Sequence, residues 1–250
     1  MTTASDGVER PPGVAGVFAT THWSVVLAAG NPTSPRAAEA LEKLCRTYWY
    51  PLYAYVRRCG YDHANAEDLT QEFFLRLLAK DYLSRADPSK GRFRSFLLRG
   101  IKNLLCDEQD KAHRLKRGGG RRLISFDQQE AEHRYGLEPV EELTPERLFE
   151  RSWAATLLAA AAGRLRDEYL AAGQGELYEQ LTEFRLDSPE QRAYGEVAEQ
   201  LGMSESAVKS AIRRLRQRHQ ALVRDAIAQT VEDPAEVDAE IRHLLQVLGG

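Results

Sequence analysis

Cysteine is scarce in this chain. Cys45, Cys59 and Cys106 are three among 250 residues, and no two stand at C-x-x-C spacing. A zinc site or disulfide framework is therefore not expected, and thiols of this kind fit a reducing cytoplasm. Long apolar runs are missing too. Nothing approaches the roughly 18 uninterrupted apolar residues that a membrane span needs, and no basic region followed by an apolar core opens the sequence. A soluble, cytoplasmic protein is the expectation. Strand alternation is almost absent, since 123–126 is the one candidate and is too short to support a sheet. P-loop, G-x-S-x-G, H-E-x-x-H and G-x-G-x-x-G patterns are likewise missing. His63 with Glu67, Asp68 and Glu72, or Asp107 with Glu108 and Asp110, could be offered as metal sites. Neither grouping itself holds the Glu-x-x-His pair of a helical di-metal site. An enzyme is not expected, and no cofactor is implied.

What is present is enough apolar residue for real cores, 43% of the chain, and charge that is strongly segregated. The net charge of −3 does not advertise a nucleic-acid partner. Locally the picture differs. Residues 90–122 hold eleven Lys or Arg against three acids, a net +8, whereas 127–150 hold eight acids against two Arg, a net −6. The last block, 225–250, holds six acids against Arg242, a net −5. A phosphate backbone responds to local charge, so the basic blocks are the informative ones.

Residues 194–224, YGEVAEQLGMSESAVKSAIRRLRQRHQALVR, predict two helices around a tight corner. Val197, Ala198 and Leu201 share one side of the first helix, and Gly202 suits a left-handed corner. Ser204 can cap the second helix, with Glu205 in its first turn. Val208, Ala211, Ile212, Leu215 and Leu222 fall on one face of that helix, and Ser206, Lys209, Ser210 and Arg213 on another. This is the helix-turn-helix pattern. An ordinary helical hairpin is the alternative, but 206–224 carry six Lys or Arg and no acid, which favours DNA.

Before this unit the pattern is helical throughout. Residues 1–16 are expected as a flexible tail, and Thr21 can cap a short helix. A helix follows from Arg36, which Pro51 should kink or restart and Gly60 should stop. Asp62 or Asn65 can begin the next, with Leu69, Phe73, Phe74, Leu77 and Leu78 as its buried stripe. After the turn chemistry of 87–91 a third helix carries Phe93, Phe96, Leu97, Ile101, Leu104 and Leu105 on one side. Arg92, Arg94, Arg99 and Lys102 occupy much of the rest, and Gly118–Gly120 should end it. Residues 127–143 lack periodicity and are expected as a linker. Thr144 followed by Pro145 is a cap with proline at the first helical position. The expected fold class is all-α: two small helical domains, 17–117 and 144–230, joined by an acidic linker over 118–143, with an acidic amphipathic extension over 231–250.

Residues 65–78, NAEDLTQEFFLRLL, resemble region 2 of the sigma-70 family of bacterial RNA polymerase sigma factors, and 91–107, GRFRSFLLRGIKNLLCD, strengthen the resemblance. With the helix-turn-helix on the C-terminal side, the order is similar to region 2, linker, region 4 of the extracytoplasmic function (ECF) subgroup. The resemblance implies a promoter-specificity subunit whose partners are core RNA polymerase and promoter DNA, with an anti-sigma factor as a further possible partner. It implies that Asp68, Gln71, Glu72, Phe74 and Leu75 dock on the polymerase, although Phe74 and Leu75 fit a core equally well. It implies that Arg92, Phe93, Phe96, Arg99, Lys102, Asn103, Lys111 and Arg114 meet the minus-ten element. Phe93 and Phe96 also lie on the apolar face, and Asn103 could instead bond neighbouring backbone. Strand opening needs cations along a phosphate track, apolar surface for unstacked bases and a polar group to read a flipped base. Ser206, Lys209, Ser210, Arg213 and Arg214 would serve the minus-thirty-five element. Arg213 and Lys209 have the chemistry to pair with guanine, while Arg214, Arg216 and Arg218 suit phosphates or solvent.

Two departures from that plan stand out. The linker carries the extra segment 123–127, and a helix with Val237, Ile241, Leu244, Leu245 and Leu248 in one stripe follows Val231. That acidic helix either simply packs or folds over the basic reading helix and lowers DNA binding. A stand-alone helix-turn-helix regulator that never joins the polymerase is the other functional reading.

Overall fold

The computed structural model describes residues 35–78, 91–112, 128–138, 143–182, 194–231 and 233–249. Every regular element among them is helical, as expected: α1 (Pro35–Arg58), α2 (His63–Leu78), α3 (Phe93–Ala112), α4 (Gln128–Gly136), α5 (Pro145–Ala171), α6 (Gly175–Thr182), α7 (Tyr194–Gln200), α8 (Glu205–Ala228) and α9 (Val237–Gly249). A 3₁₀ turn, Pro234–Glu236, leads into α9. The tail over 1–16, the helix from Thr21, the turn residues 87–90, Arg114, the glycines 118–120 and the segment 123–127 lie outside the described residues.

The helix starts follow capping chemistry. The first amides of a helix lack internal partners and need an outside acceptor. Asp62 accepts from the Asn65 amide at 2.8 Å and so opens α2. Thr144 accepts from the Arg147 amide at 3.2 Å, with Pro145 next to it, and opens α5. Pro51 does not restart α1, which runs through it from Pro35 to Arg58. It forfeits one backbone hydrogen bond, but the flanking run from Tyr48 to Val56 is buried on every side. Each such side chain contributes roughly 1.5–3 kcal/mol of burial when fully enclosed, which outweighs one lost bond.

The helix α5 is the axis of the molecule. Its N-terminal half, through Leu148, Phe149, Trp153 and Leu157, shares one core with α1, α2, α3, the end of α8 and α9. Its C-terminal half, through Ala161 and Leu165, shares a second core with α6, α7 and the body of α8. The helix expected to open the second domain therefore contributes to both cores.

The described part of the expected linker is not featureless, for it contains α4. Apolar periodicity could not reveal this helix, because Ala131 is its one buried apolar side chain. Polar groups hold it instead. Arg57 donates to the Glu132 carboxylate through Nη2 at 2.6 Å and Nε at 3.1 Å, and the Tyr53 hydroxyl donates to it as well. Arg134 lies 3.7 Å from the centroid of the Tyr50 ring and donates to Thr156 Oγ1 at 3.1 Å.

Candidate nucleic-acid interface

The corner between α7 and α8, expected as a helix-turn-helix, is made by Gly202, whose φ is +61°. Around it the Met203 amide reaches the Ala198 carbonyl at 2.8 Å and the Gly202 amide reaches Glu199 at 3.2 Å. That pair of bonds is the Schellman ending of a helix, which asks for a residue without a Cβ at this point. Ser204 Oγ then accepts from the Ala207 amide at 3.3 Å and starts α8. Val208, Ala211, Ile212 and Leu215 turn inward against Val197, Ala198, Ala161 and Leu165. Ser206, Lys209, Ser210, Arg213 and Arg214 are consequently all exposed. Lys209 is partly engaged, 3.7 Å from Glu205 and above the Tyr194 ring. Arg218 is turned to structural use, because both of its contacting nitrogens meet the Glu168 carboxylate of α5.

On α3, three of the residues expected at DNA form a stripe. Phe96, Arg99 and Asn103 are spaced by three and four positions, which stacks them on one face of α3, and Arg92 stands just before its first residue. Arg99 and Asn103 are exposed, and Phe96 and Arg92 are half-buried. Phe93 is not part of this surface: it is fully enclosed, edge-on to Tyr48, and takes the core role its position allowed. Lys102 points away from the stripe and pairs with Glu146 of α5 at 2.7 Å. The side chain of Lys111 lies outside the described residues, as does Arg114.

The five residues expected at the polymerase divide in the same manner. Asp68 is exposed, while Glu72 and Leu75 are half-buried. Glu72 receives Arg76 Nε at 2.8 Å. Phe74 is in the core against Phe73, and Gln71 is buried with its amide donating to Glu67 Oε1 at 2.9 Å. A buried amide needs a hydrogen-bond partner, and Glu67, one turn back, supplies it. Asp68, Glu72 and Leu75 are thus the members of this set available at the surface. Among the described residues no group of three or more His, Cys, Asp or Glu side chains could hold a metal ion. No described helix is long and apolar enough to cross a membrane.

One cluster escaped the sequence reading. Arg94, expected among the solvent-facing cations, is only 4% exposed. Its guanidinium lies 4.6 Å from the Trp153 ring centroid and donates through Nε to Glu150 at 2.9 Å. It also pairs with Glu240 of α9, a carboxylate with no exposure at all. Arg92 Nη1 reaches the other Glu240 oxygen at 2.7 Å. These are ion pairs without an aligned hydrogen bond to Glu240. Burial pulls the Arg94 pKa below its ordinary value, and Glu150 works against that shift. The acidic helix α9 leaves Ser206, Lys209, Ser210 and Arg213 of α8 exposed. It meets the far end of that helix, where Asp238 pairs with Arg224 at 2.6 Å.

Searches of curated proteins and of solved structures give no match to the chain. Residues 44–115 match the family model described as sigma-70 region 2. The matched stretch holds α1 from Leu44 onward, α2 and α3, and therefore both the stripe and the candidate docking residues; α7 and α8 lie beyond it. The match shows that this stretch, less than a third of the chain, is similar to sigma-70 region 2.

Proposed function

We propose that the chain is a promoter-specificity subunit of the ECF kind, with no chemistry of its own. Through Asp68, Glu72 and Leu75 on α2 it grips core RNA polymerase. Arg92 and the stripe of Phe96, Arg99 and Asn103 hold the opened minus-ten element, with cations for phosphates, a ring for an unstacked base and an amide to read one. Ser206, Lys209, Ser210, Arg213 and Arg214 set register in the duplex at minus thirty-five. What supports this reading most is that the stripe falls inside the stretch matching sigma-70 region 2.

Transcription by bacterial core polymerase from a library of random promoters, with and without the chain, tests it. New start sites that share two spaced elements are the expected result. Failure to associate with the polymerase overturns it, and duplex binding without that association would leave the stand-alone regulator.

A further inference from the structure

The buried Glu240 is an acid on an apolar stripe. It lies between Val237 and Leu244, both buried. A carboxylate taken wholly out of water must be matched by cations, and here the cations are Arg92 and Arg94 at the head of α3. Arg92 also stands one turn before Phe96, the first member of the stripe on α3. The chemistry of the two ligands is alike: a carboxylate and a phosphate oxygen pair both satisfy guanidinium groups. Besides this, α9 buries Val237 and Leu244 in the core it shares with α5, and Ile241, Val247 and Leu248 pack against that core. His243 Nε2 lies 2.8 Å from Glu150, and the Asp238–Arg224 pair is largely exposed.

We propose that Glu240 is an internal stand-in for a DNA phosphate. In this state α9 occupies the Arg92–Arg94 pair, caps the head of the stripe and ties α3 to α5 and α8. Displacement of α9 by the sugar–phosphate backbone of single-stranded DNA opens that pair to the strand. The proposal rests on the reading of α3 as a strand-holding surface. It relocates the regulatory role of the acidic extension from the minus-thirty-five helix to the minus-ten one. The same contact sets an order of events, because the strand must compete with Glu240 before it gains the two guanidinium groups.

The test uses the full chain, a labelled single-stranded oligonucleotide and anisotropy titrations at several salt concentrations. Glu240→Gln should raise affinity about tenfold and steepen the slope of log K against log salt by about 0.7 for each guanidinium that reaches a phosphate. Glu236→Gln makes the same change in net charge on an exposed residue of the preceding turn, and should move affinity less than about twofold. Arg92→Ala in the Glu240→Gln background should remove much of the gain. Equal gains from Glu236→Gln and Glu240→Gln overturn the proposal, because net charge alone would then explain them. Should Glu240→Gln fold poorly, hydrogen exchange on the unaltered chain decides: saturating oligonucleotide should speed exchange across 237–249, and unchanged or slower exchange overturns the proposal. Faster exchange of α9 in Glu240→Gln with unchanged DNA affinity rejects the stand-in role and leaves the sigma reading intact. That reading fails separately, by lack of polymerase association.

Discussion

Arg218 donates Nε to one oxygen and Nη2 to the other oxygen of Glu168, both at 2.7 Å, and so ties α8 to α5. The bidentate geometry removes Arg218 from the pool of phosphate anchors to which its position in the basic helix had assigned it. Arg218→Ala should therefore cost roughly 0.2–1 kcal/mol of stability, since the pair is half exposed. The salt slope for minus-thirty-five duplex should change by less than about half an ion, against about 0.9 for a lost phosphate contact. Titration of binding against salt checks this. A full-ion loss would show that Arg218 leaves Glu168 for DNA.

The reading helix depends on two residues that never touch DNA in this scheme. An alanine at Gly202 meets no atom within 4 Å, so the cost of Gly202→Ala is the left-handed backbone alone, about 1–2 kcal/mol. Ser204→Ala deprives the Ala207 amide of its acceptor, at about 1 kcal/mol. Each should lower the thermal midpoint by roughly 2–4 °C per kcal/mol in a chain of this size. Thermal melts of the two variants and their combination check the values. A larger loss of minus-thirty-five binding than of stability would mean that the corner also positions Arg213.

Docking of α4 should be sensitive to acid. Partial burial alone would raise the Glu132 carboxyl, but the bonds from Tyr53 and Arg57 outweigh it and hold the group below its ordinary value. A depressed carboxylate stabilises the folded arrangement above its unfolded value, near pH 4.3, and that contribution fades as pH falls through the lower folded value. The expected loss is thus confined to below about pH 4. Fluorescence of Trp49, stacked on Tyr53 at 5.3 Å, gives a local readout. In Glu132→Gln the acid transition at this site should vanish, and its persistence would assign the transition to another group.

Much of the fold was legible because its signals are local. Asp62, Thr144, Pro145, Gly202 and Ser204 each announce a helix boundary by chemistry that acts within three or four residues. Helix α4 was illegible because long-range polar contacts to α1 hold it rather than an apolar face. Phe74 and Phe93 show the limit of pattern reading at the site, for an aromatic on an apolar face serves either core or ligand. The Arg94–Glu240 pair left a fainter trace. Arg94 precedes Leu97, Ile101 and Leu105 at helical spacing, and Glu240 sits three after Val237 and four before Leu244. Opposite charges on two apolar stripes could have been matched. Neither stripe alone says that the other is its partner.

Base reading at minus thirty-five should rest on Arg213 more than on Lys209. Both are exposed on the outer face of α8, but Lys209 is drawn toward Glu205 and the Tyr194 ring. A guanidinium can also bond a guanine edge through two donors in a fixed plane, which an ammonium cannot. Arg213→Ala should thus cost about 1–3 kcal/mol at one base position and leave the others alone. Lys209→Ala should weaken all sequences by a smaller and even amount, as a phosphate contact does. Selection of binding sites from randomised duplexes by the two variants separates these outcomes. If Lys209→Ala relaxes one position while Arg213→Ala lowers affinity evenly, the two residues have exchanged roles, and α8 enters the groove rotated from the placement proposed above.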